Sequence, residues 1–309
     1  MTRRAAAGFG RLLPLLLIAA AVVVVAGGAL LAACGSSGGA ATQPTVTVSA
    51  SASGTTRPTA SPSVSPSGSP TAPAATTTLR LYFLRDGELG VAERLVPHTS
   101  MPATASLVAL LAGPKGGESA AGLDSAIPAG TRLLSLTIAN GSARVDLSSE
   151  FATGDGETMG RRVAEVVYTL TRFPTVRSVQ FLVNGATVDS LGGVPLGGPQ
   201  QRADFRDLEP NIFVESPGVG ADLSSPFTLA GTARVFEGTF LARLVDSSGR
   251  RIVEVVVTAS RGAPGRGRFT RQVAFSTSAK AGTLIAFDQS MEDGSRQDEV
   301  KIPVTFASD

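Results

Sequence analysis

RLLSLTIANGSARVDL, residues 132–147, reads as two strands and the turn between them. Arg132 to Ala139 and Ala143 to Leu147 carry the β-branched and aliphatic residues of paired strands. Asn140-Gly141 supplies two residues that accept positive φ, as a tight hairpin turn requires. Upstream, Leu107, Val108, Leu110 and Leu111 recur at helical spacing in a run that opens at Thr104, just after Pro102, and stops at Gly113-Pro114. Leu79 to Leu84 precedes it as a strand, and Gly90 to Val96 reads as a second short strand after an Asp86-Gly87 turn. Downstream, Met159, Val163, Val166, Val167 and Leu170 form the apolar face of a helix that starts near Glu157 and ends at Phe173-Pro174. Val176 to Val183 follows as a strand and turns at Asn184-Gly185. The order strand, helix, strand, strand, helix, strand predicts two helices on one face of a small mixed sheet across residues 78–205.

After Asn211 the apolar period changes to two. Strands are expected at Ile212–Glu215, Phe227–Ala233, Phe240–Asp246, Ile252–Thr258, Arg268–Phe275, Thr283–Asp288 and Glu299–Phe306. Turn residues such as Asp246-Ser247-Ser248-Gly249 and Ala263-Pro264-Gly265 separate most of them. Short strands at this spacing, with no helical run, predict a β-sandwich over 208–309. The expected class is therefore α+β: a small mixed αβ sandwich of ferredoxin-like or ring-building kind, then an all-β sandwich. Gly/Pro-rich 192–199 and the charged Arg202–Glu209 segment read as the connection.

Both parts resemble known families. LRLYFL, LVALLAGP, IPAGTRLLSLTIANGSARVDLSSEF and EVVYTLTRFPTVRSVQFLVNG, in that order, are similar to the GerMN domain of sporulation and spore-germination proteins. ESPGVGADLSSPFTLAGTARVFEGTF, APGRGRFT and DEVKIPVTF resemble the immunoglobulin-like domain of bacterial spore germination. The resemblance implies extracytoplasmic modules used for assembly and binding, often in lipoproteins, one branch of which accompanies sensor kinases. It brings no catalytic residue with it. Phe236 and Glu237 belong to this signature, and in a sandwich the simplest expectation is packing for Phe236 and a turn or edge position for Glu237.

The first 33 residues hold Arg3, Arg4 and Arg11 and no acid, and Leu12 to Ala33 is apolar or small throughout. That is the basic and apolar part of an export signal. A run of about 22 residues is also long enough to cross a bilayer as a retained helix. Leu31-Ala32-Ala33-Cys34-Gly35 decides for the first reading. It resembles the bacterial lipobox, in which the cysteine is acylated and becomes the mature N-terminus. Cys34 is the only cysteine of the chain. Either reading expects the rest on the extracytoplasmic face of the plasma membrane, and two or more acyl chains give a stable anchor. Residues 34–77 are Ser/Thr/Pro/Ala/Gly with one charge, Arg57, a composition expected to stay disordered. Such a tether reaches roughly 35–40 Å.

The formal charge of +2 comes from that leader; from residue 34 on there are 24 Lys and Arg against 25 Asp and Glu. A near-neutral body lacks the basic footprint that nucleic acid demands. One Cys excludes an internal disulfide, and one His with that Cys excludes an ordinary zinc site. No cofactor is expected. His98 has no second imidazole or thiol beside it for nucleophilic catalysis. Asp146 and Glu150 are the nearest thing to a glycosidase pair, but no Trp and only Tyr82 and Tyr168 are present to hold a sugar. The acidic Asp288–Glu299 stretch fails the calcium-loop pattern: with Gly294 at the loop glycine, Gln289 and Val300 take ligand positions. Arg261, Arg266, Arg268 and Arg271 form a local basic cluster that could meet anionic polymer or lipid headgroups, with ordinary surface charge the favoured expectation. The expected partners are the membrane, through the lipid on Cys34, and either another envelope protein or peptidoglycan or other polysaccharide; a hydrolase is the remaining alternative.

Overall fold

The computed structural model describes residues 75–154 and 156–307. The chain opens with a long hairpin, β1 (Thr76–Arg85) and β2 (Glu88–Pro97), turning at Asp86 (φ 52°) and Gly87 (φ 82°). Helices α1 (Pro102–Leu111) and α2 (Gly116–Ala120) follow. Pro102 sits in the first turn of α1, where a missing N–H costs nothing. Gly113, at φ 78°, terminates that helix. The hairpin that decides the fold is β3 (Leu133–Ala139) and β4 (Ser142–Leu147), with Asn140 and Gly141 at φ 51° and 82°. After it come α3 (Gly156–Thr171), β5 (Ser178–Val183) and three two-residue strands: β6 (Ala186–Thr187), β7 (Ser190–Leu191) and β8 (Val194–Pro195).

One expectation changes here. The first hairpin does not enter the mixed sheet: β1 and β2 form their own two-stranded ribbon, and the sheet runs β3-β4-β5-β6, with β4 and β5 parallel. Helix α3 packs against both β1 and β5, and against α1. It is therefore covered on more than the expected face. Met159, Val163, Val166, Val167 and Leu170 are buried, and so are Arg162, Glu165, Tyr168 and Thr169. Each of these polar groups has an internal partner, as burial demands. Arg162 donates to the carbonyls of Ala126 (2.9 Å), Thr153 (2.6 Å) and Phe151. Glu165 accepts from the Ser125 hydroxyl and the Ala126 N–H, both at 2.7 Å. The Thr169 hydroxyl accepts from the Tyr82 N–H at 3.1 Å.

The second part holds β9 (Ile212–Ser216), β10 (Asp222–Leu223), β11 (Phe227–Ala233), β12 (Thr239–Asp246), β13 (Arg251–Thr258), β14 (Gly267–Val273), β15 (Ala281–Gln289) and β16 (Arg296–Phe306). These make two sheets, β10-β16-β15-β12-β13 and β14-β11-β9. Period-two burial in β11 and β12 puts Phe227, Leu229, Phe240, Ala242 and Leu244 inside. Each large apolar side chain buried in this way stabilises the fold by about 1.5–3 kcal/mol. The core does not stop at the sequence boundary: one continuous cluster of buried apolar residues runs from the αβ part into the sandwich.

Candidate functional site

Three aromatic rings meet where the two parts join. Tyr82 of β1, Tyr168 of α3 and Phe213 of β9 have centroids 5.6 Å apart for the tyrosine pair and 6.1 Å from each tyrosine to the phenylalanine. Arg202 reaches in from the connecting segment and lies over both tyrosines, 5.0 Å from the Tyr82 centroid and 4.6 Å from that of Tyr168. Its guanidinium donates to Glu215 (2.6 Å), to the Thr171 hydroxyl (2.9 Å) and to the Tyr82 oxygen (3.1 Å). The Tyr82 hydroxyl in turn donates to Glu215 at 2.5 Å, and that of Tyr168 to Glu209 at 2.6 Å. Arg266, from the loop before β14, closes the other side with an ion pair to Glu209 (3.1 Å) and hydrogen bonds to the Glu209 and Pro210 carbonyls.

The electrostatics follow from the geometry. Burial holds both tyrosine hydroxyls protonated far above their ordinary range. Burial opposes the charge on Arg202, but Tyr82 and Glu215 outweigh it and bind its proton more tightly than usual. For Arg266 burial prevails and lowers the pKa. Backbone pairing adds to the junction: the Glu93 N–H donates to the Val219 carbonyl and the Val219 N–H to the Val91 carbonyl, both at 2.8 Å. The segment expected to be a plain connection is thus a wedge of 3-10 turns over Arg202–Leu208, pinned by buried Phe205.

A second feature lies on the sandwich. Phe236, in the short turn Phe236–Gly238 before β12, leaves 63% of its surface in water; Val256 of β13 leaves 53% and Met291, between β15 and β16, 88%. With Leu241, Thr239 and Phe240 they line a shallow depression of about 240 Å³ bordered by Glu237, Asp288 and Gln289. The register explains the grouping, because Leu241 stands opposite Val256 on one side and Phe287 on the other. On the same face Arg243 pairs with Glu254 and covers the Phe287 ring, which Arg296 also caps at 4.5 Å.

The family described as sporulation and spore germination matches residues 80–189, and the immunoglobulin-like domain of bacterial spore germination matches residues 211–295. The chain carries a GerMN domain and a germination-type immunoglobulin-like domain, in that order. Among solved structures, the tandem GerMN domains of the sporulation protein GerM from Bacillus subtilis are 21% identical, covering 65% of this chain and 62% of that one, with a TM-score of 0.38. The first GerMN domain of the same protein is 26% identical over 42% of this chain and 100% of its own length, with a TM-score of 0.36. A putative lipoprotein from Clostridium perfringens is 26% identical, covering 46% of this chain and 99% of that one, with a TM-score of 0.32. No curated protein matches the chain.

The junction thus fastens the GerMN domain to the immunoglobulin-like domain, and the exposed depression belongs to the latter. Cys34 and its lipobox neighbours Leu31, Ala32 and Ala33 lie outside the described residues. His98 follows β2 on the GerMN surface, exposed, and its backbone N–H donates to the Ala75 carbonyl at 3.0 Å. Asp146 accepts the Gly185 N–H at 2.9 Å and so braces the β5–β6 turn, while Glu150 faces Arg132 at 3.8 Å. Asp293 accepts the Ser295 N–H within its turn, and Glu299 is divided between Arg296 (2.9 Å) and Lys301 (2.7 Å). Among the described residues no three His, Cys, Asp or Glu side chains gather as a metal would need.

Two sequence expectations need correction. Phe236 does not pack in the sandwich: Glu237, at φ 54°, reverses the chain there, so Val235 takes the buried position and Phe236 is turned outward. The turn rests directly on the β13–β14 loop, where a Cβ on Gly262 would stand 2.7 Å from the Gly238 nitrogen. Nor is Arg266 ordinary surface charge, since its side chain is 13% exposed and bound to Glu209. Arg261, Arg268 and Arg271 remain exposed. The junction residues were out of reach of sequence reasoning: Tyr82, Tyr168, Arg202 and Glu215 share no local motif and meet only through the fold.

Proposed function

We propose that the chain is a lipid-anchored, non-catalytic adaptor on the extracytoplasmic face of the plasma membrane, its two-domain head binding another envelope protein. The observation that supports this most directly is the trio Phe236, Val256 and Met291, large apolar side chains held out in water around one depression of the immunoglobulin-like domain. Clustered apolar exposure of this kind marks interaction surfaces. Covering the three by a partner removes apolar area worth at most about 1.5–3 kcal/mol each, before the costs of association. The aromatic junction serves the same end, since a head whose domains share one core presents its surface without losing interdomain freedom on binding. A sporulation or germination setting follows from the two domain families. Acylation at Cys34 supplies the anchor, and the 34–77 tether supplies the reach.

A photo-crosslinking residue at position 236, compared with one at Arg144 on the GerMN domain, tests the reading in intact cells. One envelope protein is expected from position 236 alone, with Met291→Asp reducing its yield. Equal capture at both positions refutes the surface, and capture of wall glycan alone transfers the reading to polysaccharide binding. For the anchor, Cys34→Ser is expected to abolish lipid labelling and release the protein from the membrane fraction.

A further inference from the structure

Beside the junction lies a cleft of about 380 Å³. Its floor is the outer face of β11 and β14 at Ala230, Thr232 and Thr270, and its wall is the 202–209 wedge. Four arginines line it, Arg202, Arg206, Arg266 and Arg268, with two carboxylates, Glu209 and Glu215. The carboxylates are already spent. Glu215 is held by Arg202 and the Tyr82 hydroxyl, and Glu209 by Arg266, the Tyr168 hydroxyl and the Thr232 hydroxyl at 3.1 Å. Among the described residues the guanidiniums of Arg206 and Arg268 make no ion pair and no hydrogen bond, and the Thr270 hydroxyl makes none either.

We propose that this cleft is an oxyanion site, taking a phosphate or carboxylate group between Arg206 and Arg268. Three features carry the assignment. The charge does not balance: two matched pairs leave two unmatched cations on one concavity, and a concavity with low-dielectric walls concentrates their field. The cations stand on firm supports. Arg268 belongs to β14, paired along its length with β11, and Arg206 follows buried Phe205 in a turn whose first N–H, that of Gln201, is capped by Asp204 at 2.7 Å. The chemistry suits the ligand, because a guanidinium offers a planar fork matched to two oxygens of a carboxylate or phosphate, and the Thr270 hydroxyl adds a neutral donor. The site is separate from the apolar depression proposed to hold a protein, so either can fail alone.

The experiment titrates the full-length chain in detergent with inorganic phosphate and, separately, with citrate, by calorimetry at constant ionic strength. Saturable binding of at least one is expected, and the tighter of the two identifies the oxyanion class. Arg206→Gln and Arg268→Gln are each expected to weaken it by about tenfold, the worth of one charged hydrogen bond. Neither side chain holds any structural partner, so the melting temperature should stay that of the parent. Arg144→Gln, the same charge change on the exposed β4 surface, should leave the affinity unaltered. Absence of saturation with both anions overturns the proposal, and so does an equal loss in Arg144→Gln, which would reduce the effect to net charge.

Discussion

Replacing Arg202 by Met removes a side chain that reaches from the wedge to both domains. The expected cost is built from its contacts. Two tyrosine faces at 5.0 and 4.6 Å contribute about 1 kcal/mol each for a cation still partly in water. The side chain is 29% exposed, so the 2.6 Å pair with Glu215 is screened, and with the Thr171 bond it adds about 1–2 kcal/mol. Glu215 keeps the Tyr82 hydroxyl, which limits the damage. A loss near 3 kcal/mol follows, about 6–12 °C for a folded body of this size. Arg202→Lys keeps the charge but not the flat stacking surface or the fork, and should lose about half as much. Scanning calorimetry reads both variants. Met is further expected to split one transition into two, as the domains come apart before either melts. A loss below about 1 kcal/mol with a single transition in Arg202→Met refutes the junction argument, and so does Lys behaving like Met.

Three further outcomes are expected. Burial pushes the Glu165 carboxyl up to about 8, only partly opposed by the Ser125 hydroxyl and the Ala126 N–H. The folded chain therefore holds a proton that the unfolded chain releases near 4.5, so stability should fall as pH rises from there towards 8, and urea titrations of Glu165→Gln should show that slope flattened. Arg94 and Glu118 form a buried pair at 2.6 Å, with Arg94 also donating to the carbonyls of Ala109 and Gly113. Arg94→Met alone should cost about 3–5 kcal/mol in chemical denaturation, and the joint change with Glu118→Leu should recover at least half. Gly231→Ala would place a Cβ 2.0 Å from the Phe213 carbonyl and should cost more than about 3 kcal/mol, against about 1–2 kcal/mol for Gly185→Ala, which has open space but φ of 81°.

Much of the architecture was readable residue by residue, because its determinants are local. Asp86-Gly87, Asn140-Gly141 and Asn184-Gly185 each turn with both residues at positive φ, and the chain signals them by residue type alone. The seven expected strands of the sandwich appear as β9 and β11 to β16, since alternation along a strand is itself the record of which face is buried. Helix α3 was legible as a helix, but its polar face was not legible as buried, because strand β1 and the loops at 125–126 and 151–153 close over it only in the fold. Phe236 failed for a related reason: composition says that a phenylalanine is worth burying, and one left-handed residue beside it decides that it is not.

What the linear text determined by itself is the order of the folded parts, an αβ stretch followed by a β stretch, and the short turns within each. Each of these rests on neighbours within a few turns of chain. The tertiary structure alone decided that the two folded parts share a core, that Arg202 is stacked between tyrosines 120 and 34 positions away, and that two arginines from the wedge and from β14 face one cleft without counter-charge. Partners so distant in sequence leave no periodicity behind, and charge balance in a cleft depends on which carboxylates are already taken, which only the folded geometry fixes.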